Sequence, residues 1–448
     1  MRSLPTVISI LIVASVVSVC CKSFVVDESP DKKLSAQALQ AEFKLMTDRL
    51  EKEVPDMYYL CPKAIYDSTK QSILHSLTDS MSVVAFYRHI MPLFVVLKDP
   101  HFQCFIDKTL LSKLDGDLPG LCFPFTVMIS NNRVYTDKNL SAEKGIPRGT
   151  EILAINGVPT AEILHKIKAG VAYAPNEEHF FEQWHESIFY RDLLLLLDFR
   201  NNFKVQLPNS TILVKGVSKE ELNKAEPVVA DFEYKLLRSG EHPIGYLRIG
   251  TLLISKKDSL QAILEKFFGA AAREQVKDII IDIRSNLGGS TQLGRMVFDH
   301  ITDQEYRLGL SEQYLEKGVK TTVDDSAQPL TRPIKRDFFG RAVLLTDVKT
   351  FSSAHMMANA FQFYKLGKVV GQVSVEPLFI TGEIQLQVLP KSRCNIYFPT
   401  SNFTLPGFDS TKVTYLMPDL EVYPGIEDRL HDKDLALEAA MKLLSQPH

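Results

Sequence analysis

Two stretches of this 448-residue chain hold residue types that can do acyl chemistry. In "RAVLLTDVKTFSSAHMMANAFQFY", Arg341 to Tyr364, an apolar strand-like run gives way to a helical pattern at Ser352 and Ser353, and His355 follows three residues after the first serine. A serine at such a junction has two uses. It can cap the helix by accepting a first-turn N–H, worth about 1 kcal/mol. It can also serve as a nucleophile, because the positive end of a helix favours developing negative charge. A hydroxyl is a weak nucleophile and needs a partner to take its proton, a task suited to histidine with its ordinary pKa of about 6.5. The second stretch is "DIIIDIRSNLGGS", Asp278 to Ser290, where an apolar strand ends in Arg284, Asn286, Gly288 and Gly289. Glycines after a strand let backbone N–H groups approach a ligand oxygen, as an oxyanion hole requires, although the same turn can be purely structural. Neither phosphate-loop glycine spacing is present.

The histidines have quieter readings as well. His355 can share a helix face with Ser352 and act as base, but a solvated or cap-supporting role is the expectation. His101, in "LKDPHFQCFID", reads by itself as a polar turn residue, and His185 beside Trp184 reads as packing. No H-E-x-x-H or Cys/His cluster occurs, so no metal and no cofactor are expected.

The elements that must position these residues follow from periodicity. "LSAQALQAEFKLMTDRLEKEV" aligns Leu39, Phe43, Met46 and Leu50 on one helix face, with Ser35 able to cap it, and "VAFYRHIMPLFVVL" is a second apolar helix. Residues 32–117 are therefore expected to form a helical N-terminal domain. "LCFPFTVMISNNRVYTDK" has a hairpin turn at Asn131-Asn132, and "KGIPRGTEILAINGVPTAEILHKI" adds a strand, an Asn156-Gly157 turn and a helix. Residues 118–170 are thus β-rich, and 171–230 are read as a connector with an aromatic helix. From 231 to 445 strands and helices alternate, and continuous apolar strands such as "DIIIDI" imply a sheet covered on both faces, an α/β core.

Composition is that of a globular protein, 45% hydrophobic and 23% charged, and a net charge of -3 without any basic run excludes a nucleic-acid binder. One arginine precedes an apolar run from Leu4 to Cys21, the layout of a secretory signal peptide, with a membrane anchor as the rival reading of residues 1–21. The chain is therefore expected to be exported: periplasmic, secreted, or membrane-associated through this segment. Lipidation at Cys20 or Cys21 would fit poorly, since valine and cysteine precede them. Cys61, Cys104, Cys122 and Cys394 show no metal spacing and are open to disulfides or buried thiols.

Taken together in order, these stretches resemble the tricorn and C-terminal processing peptidase family of serine peptidases. The resemblance rests on "DIIIDIRSNLGG", similar to D-x-R-x-N-x-GG; on "VLLTDVKTFSSAHMMANAFQFYKLGKVVGQ"; on "LPKSRCNIYFPTSNF"; on "MPDLEVYPGIEDRLHDKDLALEAAMKLL"; and upstream on "LKDPHFQCFID", similar to the L-x-D-G-H element of the tricorn-like branch. Residues 118–170 resemble a PDZ domain, whose mode is to bind extended peptides at a sheet edge, with Thr150 where that family has aspartate. The match covers most of the chain from about residue 35. It implies a crotonase/ClpP-like α/β peptidase core, Ser352 as nucleophile, His101 as general base, and an oxyanion hole from the N–H groups of Ser353 and of Gly288 or Gly289. Substrates would be peptides or partly unfolded proteins, cut internally or as a tail-specific protease does.

The chain also departs from the family. Pro100 replaces the glycine before the histidine, His355 the glutamate after the nucleophile, and Gln372 that of "VGE". "GQVSVEPLFITGE" lacks the lysine of the processing branch. Lys412 stands about where the tricorn-like branch has its acid, leaving Asp409 as the nearest candidate. Besides an active peptidase, two readings stay open: a homologue that binds peptides without cleaving them, and a different crotonase-like hydrolase or lyase.

Overall fold

The structure, a computed structural model, describes residues 32–115, 121–169, 177–226, 229–239, 242–324, 330–334 and 336–446. The N-terminal segment with Cys20 and Cys21 lies outside these residues. Among the described residues no helix is long and apolar enough to cross a membrane.

The first helix of the N-terminal unit is α1 (Ala36–Glu53), capped by Ser35, whose Oγ accepts the Ala38 N–H at 3.3 Å. The heptad-like spacing places Leu39, Phe43, Met46 and Leu50 in the core together with residues of α2 (Lys63–Ser76) and α3 (Val83–Leu97). Helix α3 stops at Lys98, in the left-handed region at φ 55°. A short turn then leads into β1 (Gln103–Phe105), which pairs with a strand from far along the chain. That turn carries Asp99, Pro100 and His101, so its two ends are held by different units.

The next unit is β-rich. Strands β2 (Phe125–Ser130), β3 (Arg133–Asn139) and β4 (Glu151–Ile152) form one sheet. Asn131 and Asn132 take φ 51° and 59° at the tip of the first hairpin, the left-handed pair that its two-residue turn demands. Strands β5 (Ala154–Ile155), β6 (Val158–Pro159), β7 (Asn202–Leu207) and β8 (Ser210–Lys215) form a second sheet. Helices α4 (Thr160–Lys168), α5 (Glu177–Glu186) and α6 (Phe189–Leu197) lie between them in the chain. Phe123, Ile129, Ile155 and Leu164 share one core with Phe181, Phe189, Phe203 and Val214. Residues on both sides of position 170 are therefore one packed unit, because β7 completes its sheet by pairing with β5.

The third unit is an α/β core. Its six-stranded sheet runs in the order β9 (Phe232–Ser239), β10 (His242–Ile249), β11 (Asp278–Asp282), β14 (Arg341–Thr346), β15 (Lys368–Gly371), β18 (Leu420–Glu421). All neighbours are parallel except the first pair. Alternation within β11 explains its unbroken run of isoleucine. Ile279 and Ile281 face one layer, with α7 (Lys257–Arg273), α8 (Thr291–Ile301) and α9 (Ser353–Phe363), while Ile280 faces α10 (Leu435–Leu444). A second sheet holds β12 (Ser311–Glu316), β13 (Val319–Asp324), β16 (Phe379–Val388) and β17 (Asn395–Thr404), and β1 of the N-terminal unit joins it on β17. The four described cysteines are buried free thiols.

Candidate active site

Ser352 follows β14 at a sharp strand-to-helix turn. Its backbone is at φ 55°, ψ -127°, a strained conformation for a residue with a Cβ, and its side chain caps no N–H. Of the two uses open to it, the capping one is not realised. The strain is imposed from outside: the preceding Phe351 N–H donates to the Asn286 carbonyl at 2.9 Å, and Ser352 N–H donates to Glu376 Oε2.

The strand-end stretch is welded to this turn. Ser285 donates through N–H and Oγ to Asp347 at 2.9 and 2.8 Å. Asn286 Nδ2 donates to the Ile249 carbonyl, and its Oδ1 accepts the Gly288 N–H at 2.9 Å. Arg284 bridges Asp282, which is fully buried, and Asp434, the partly exposed N-cap of α10, with contacts of 2.6 to 3.0 Å. Gly288 sits at φ 89°, and a Cβ there would lie 2.8 Å from Ser352 Cβ and 2.9 Å from Ser353 N. Gly289, at φ 139°, presses on the Leu252 carbonyl, where a Cβ would lie 2.3 Å from the oxygen. Ser353 Oγ donates to the Gly289 carbonyl at 2.7 Å, tying the two strand ends together.

This arrangement separates the two glycines. The Gly288 N–H is spent on Asn286, whereas among the described residues no acceptor binds the N–H of Gly289 or of Ser353. Ser353 follows Ser352 in the turn, and the Ser353 Oγ–Gly289 carbonyl bond holds Gly289 against it.

His101 is brought to the same place by the α3–β1 turn. Its ring lies 4.3 Å from that of Phe351, the residue before Ser352, and only 4% of it is exposed. Around Nδ1 stand three oxygens: Asp99 Oδ1 at 3.3 Å, Thr381 Oγ1 at 2.9 Å and Glu376 Oε1 at 3.6 Å. Thr381 donates its own proton to Asp99 Oδ2 at 2.8 Å, so toward His101 it accepts. A nitrogen surrounded by acceptors carries the proton, which leaves the lone pair of the neutral ring on Nε2. Nε2 is buried without a hydrogen-bond partner, and no hydrogen bond joins it to Ser352 Oγ.

Burial works against charge on His101, but the hydrogen bond it donates to Asp99 and the charges of Glu376 and Asp99 outweigh it and raise its pKa. Burial likewise pushes Asp99 upward, and its hydrogen bonds with His101 and Thr381 bring it below the ordinary carboxylate value. For Glu376 burial prevails over the opposing effects of His101 and the Ser352 N–H, and its pKa rises to about 7.

Other residues singled out by sequence lie elsewhere. Asp409 accepts the Thr411 N–H at 2.9 Å and its hydroxyl at 2.6 Å, closing a local turn beside Lys412. It is not brought to His101; the carboxylates that face the imidazole belong to Asp99 and Glu376. His355 is fully buried, not solvated, and burial lowers its pKa to about 4. His185 packs on Phe181 and bonds Asp192 at 2.5 Å. Gln372 Oε1 accepts from Gln183 of α5 at 2.8 Å and from the Val348 N–H at 3.3 Å, linking the β-rich unit to the turn that carries Ser352. Asp99, Thr381 and Glu376 were missed by sequence reasoning. Asp99 lies two residues before His101, the only local signal. Glu376 and Thr381 both stand in "GQVSVEPLFITGE", the stretch that lacks the lysine of the processing branch.

Residues 243–422 match the model of peptidase family S41. These residues form a family S41 peptidase core. Over nearly its whole length the chain also shares a fold with CPAF. A serine-to-alanine mutant of CPAF matches with a TM-score of 0.68 at 12% identity, covering 92% of this chain and 98% of that one. Mature CPAF gives 0.67 at 14% identity, with 92% and 97% covered, and its complex with lactacystin gives 0.65 at 14%, with 92% and 98% covered. At such identities the likeness is one of fold. Among curated proteins no sequence match is found. The S41 core accounts for the class of chemistry, serine-type peptide hydrolysis, and for peptides or proteins as its substrates.

Proposed function

We propose that the chain is an active serine peptidase in which Ser352 attacks and His101 is the general base. Ser352 Oγ adds to the scissile carbonyl while Nε2 of His101 takes its proton; the imidazolium then returns that proton to the leaving amine. Water hydrolyses the acyl-serine by the same route in reverse. Asp99 and Thr381 hold the Nδ1 proton so that Nε2 is the free base, and the N–H groups of Gly289 and Ser353 receive the oxyanion. The observation that carries this reading is the contact of the His101 ring with Phe351, which sets the base against the nucleophile turn from a distant part of the chain.

A polar cleft of about 500 Å³ at the carboxyl ends of β11, β14 and β15 borders that turn through Asp347 and Lys349, and we assign it to the substrate peptide. The β-rich unit, PDZ-like in sequence, supplies its other wall through Gln183 and Glu186. The apolar run from Leu4 to Cys21 supports export as the setting. Hydrolysis of an unfolded protein substrate by wild type, Ser352→Ala and His101→Ala tests the reading: loss in both variants with unchanged circular dichroism is expected. Equal turnover in either variant would remove that residue from the mechanism.

A second reading, a peptide-binding homologue without turnover, draws on one observation: Ser352 Oγ and His101 Nε2 are not hydrogen-bonded. Such bonds commonly form only with substrate in place. Peptide binding by wild type without any product would favour it.

A further inference from the structure

Glu376 occupies a position that neither the attack nor the oxyanion requires, yet it touches both halves of the site. It lies just before β16, 3% exposed. One oxygen accepts the N–H of Ser352; the other is 3.6 Å from His101 Nδ1 and has no hydrogen-bond partner. A buried carboxylate oxygen left unpaired is costly, and a charge arriving nearby would satisfy it. Such a charge arises at one point in the cycle, when His101 has taken the serine proton. Asp99 is differently engaged: Oδ1 accepts the His101 backbone N–H at 2.9 Å as well as facing Nδ1, and Oδ2 accepts from Thr381.

Resting on the Ser352–His101 reading, we infer that Glu376 is a positioning residue that holds the Ser352 backbone in its strained attack conformation and stabilises the imidazolium form of His101. One side chain thereby serves two elements distant in sequence. Through its N–H bond it fixes the nucleophile turn; through its free oxygen it favours proton transfer from Ser352 to His101. The ionisable groups facing it are His101 and Asp99, and Asp56, Tyr59 and Lys98 line the adjoining recess.

The test separates the two roles. Glu376→Gln keeps a carbonyl oxygen that can accept the Ser352 N–H but carries no charge; Glu376→Ala removes both. The probe is a fluorophosphonate, whose rate of reaction with wild type and each variant is followed from pH 5 to 9. Above its own pKa of about 7 Glu376 is charged and raises the His101 pKa. Glutamine should therefore lower the His101 pKa, move the acidic limb of the profile to lower pH and reduce the plateau rate above about pH 7 roughly tenfold. Alanine should reduce the plateau further. A Glu376→Gln protein with the wild-type limb and plateau overturns the inference, even if the alanine variant fails to fold. Failure of the underlying reading would look different: Ser352→Ala would label as fast as wild type, whatever Glu376 does.

Discussion

Placing a methyl group on Gly288 should damage the site by a predictable amount. In Gly288→Ala the new Cβ would lie 2.8 Å from Ser352 Cβ, 2.7 Å from the Phe351 carbonyl oxygen and 2.9 Å from Ser353 N. The backbone there is at φ 89°, which costs an L-residue roughly 1–2 kcal/mol. Carbon atoms sit comfortably at about 3.5 Å or more, so Ser352 must retreat by roughly 0.7 Å. All three neighbours belong to the nucleophile turn, which is itself pinned by Asn286 and Glu376 and cannot yield without moving the hydroxyl. Since misplacement by about 1 Å costs around 100-fold in rate, fluorophosphonate labelling should slow roughly 30- to 100-fold. Melting, followed by circular dichroism, should fall by a few degrees only. Gly294→Ala is the control: its Cβ would meet Met357 at an ordinary 3.5 Å within α8, and alanine is favoured over glycine in a helix by about 1 kcal/mol. That variant should label normally and melt no lower. Labelling of Gly288→Ala within threefold of wild type would refute the claim that this glycine is shaped to the nucleophile.

Arg284→Met leaves Asp282 buried with its charge poorly compensated, and should lower the unfolding free energy in urea by about 3 kcal/mol. Asp434→Asn keeps the inner pair and should cost about 1 kcal/mol; equal losses would show that Arg284 does not serve chiefly to neutralise Asp282. His355, held by burial at a pKa of about 4 against roughly 6.5 when unfolded, binds its proton more readily in the unfolded chain. Stability should therefore be lost as pH falls from about 6.5 to 4, by roughly 3 kcal/mol from this residue. His355→Leu should remove that share of acid sensitivity, and parallel stability–pH curves for variant and wild type would contradict it.

What could be read from sequence was what local pattern encodes. The isoleucine run of β11 announces a strand buried on both faces, and the serine at the β14–α9 junction and the paired glycines lie within short quoted stretches. The surroundings of His101 were not legible because they depend on pairings between distant strands. Thr381 meets His101 and Asp99 only because β16 pairs with β17 and β17 with β1, so that residues from three separate parts of the chain converge. Glu376 follows from the same placement, and no spacing announces it. Asp409 looked suitable as an acid by proximity to the C-terminal motif, but a neighbouring threonine claims its carboxylate. Position 170 reads as a boundary for the same reason: β7 pairs with β5 across three helices among the described residues, and a helical stretch between strands reads as a linker.

The most direct measurement is peptide mapping by mass spectrometry of the folded protein after reaction with a fluorophosphonate near pH 8. The expected result is a single adduct on Ser352, none on Ser353, and none on either serine in His101→Ala. An adduct on Ser353, an adduct on Ser352 that persists without His101, or no adduct on folded wild type would contradict the Ser352–His101 assignment.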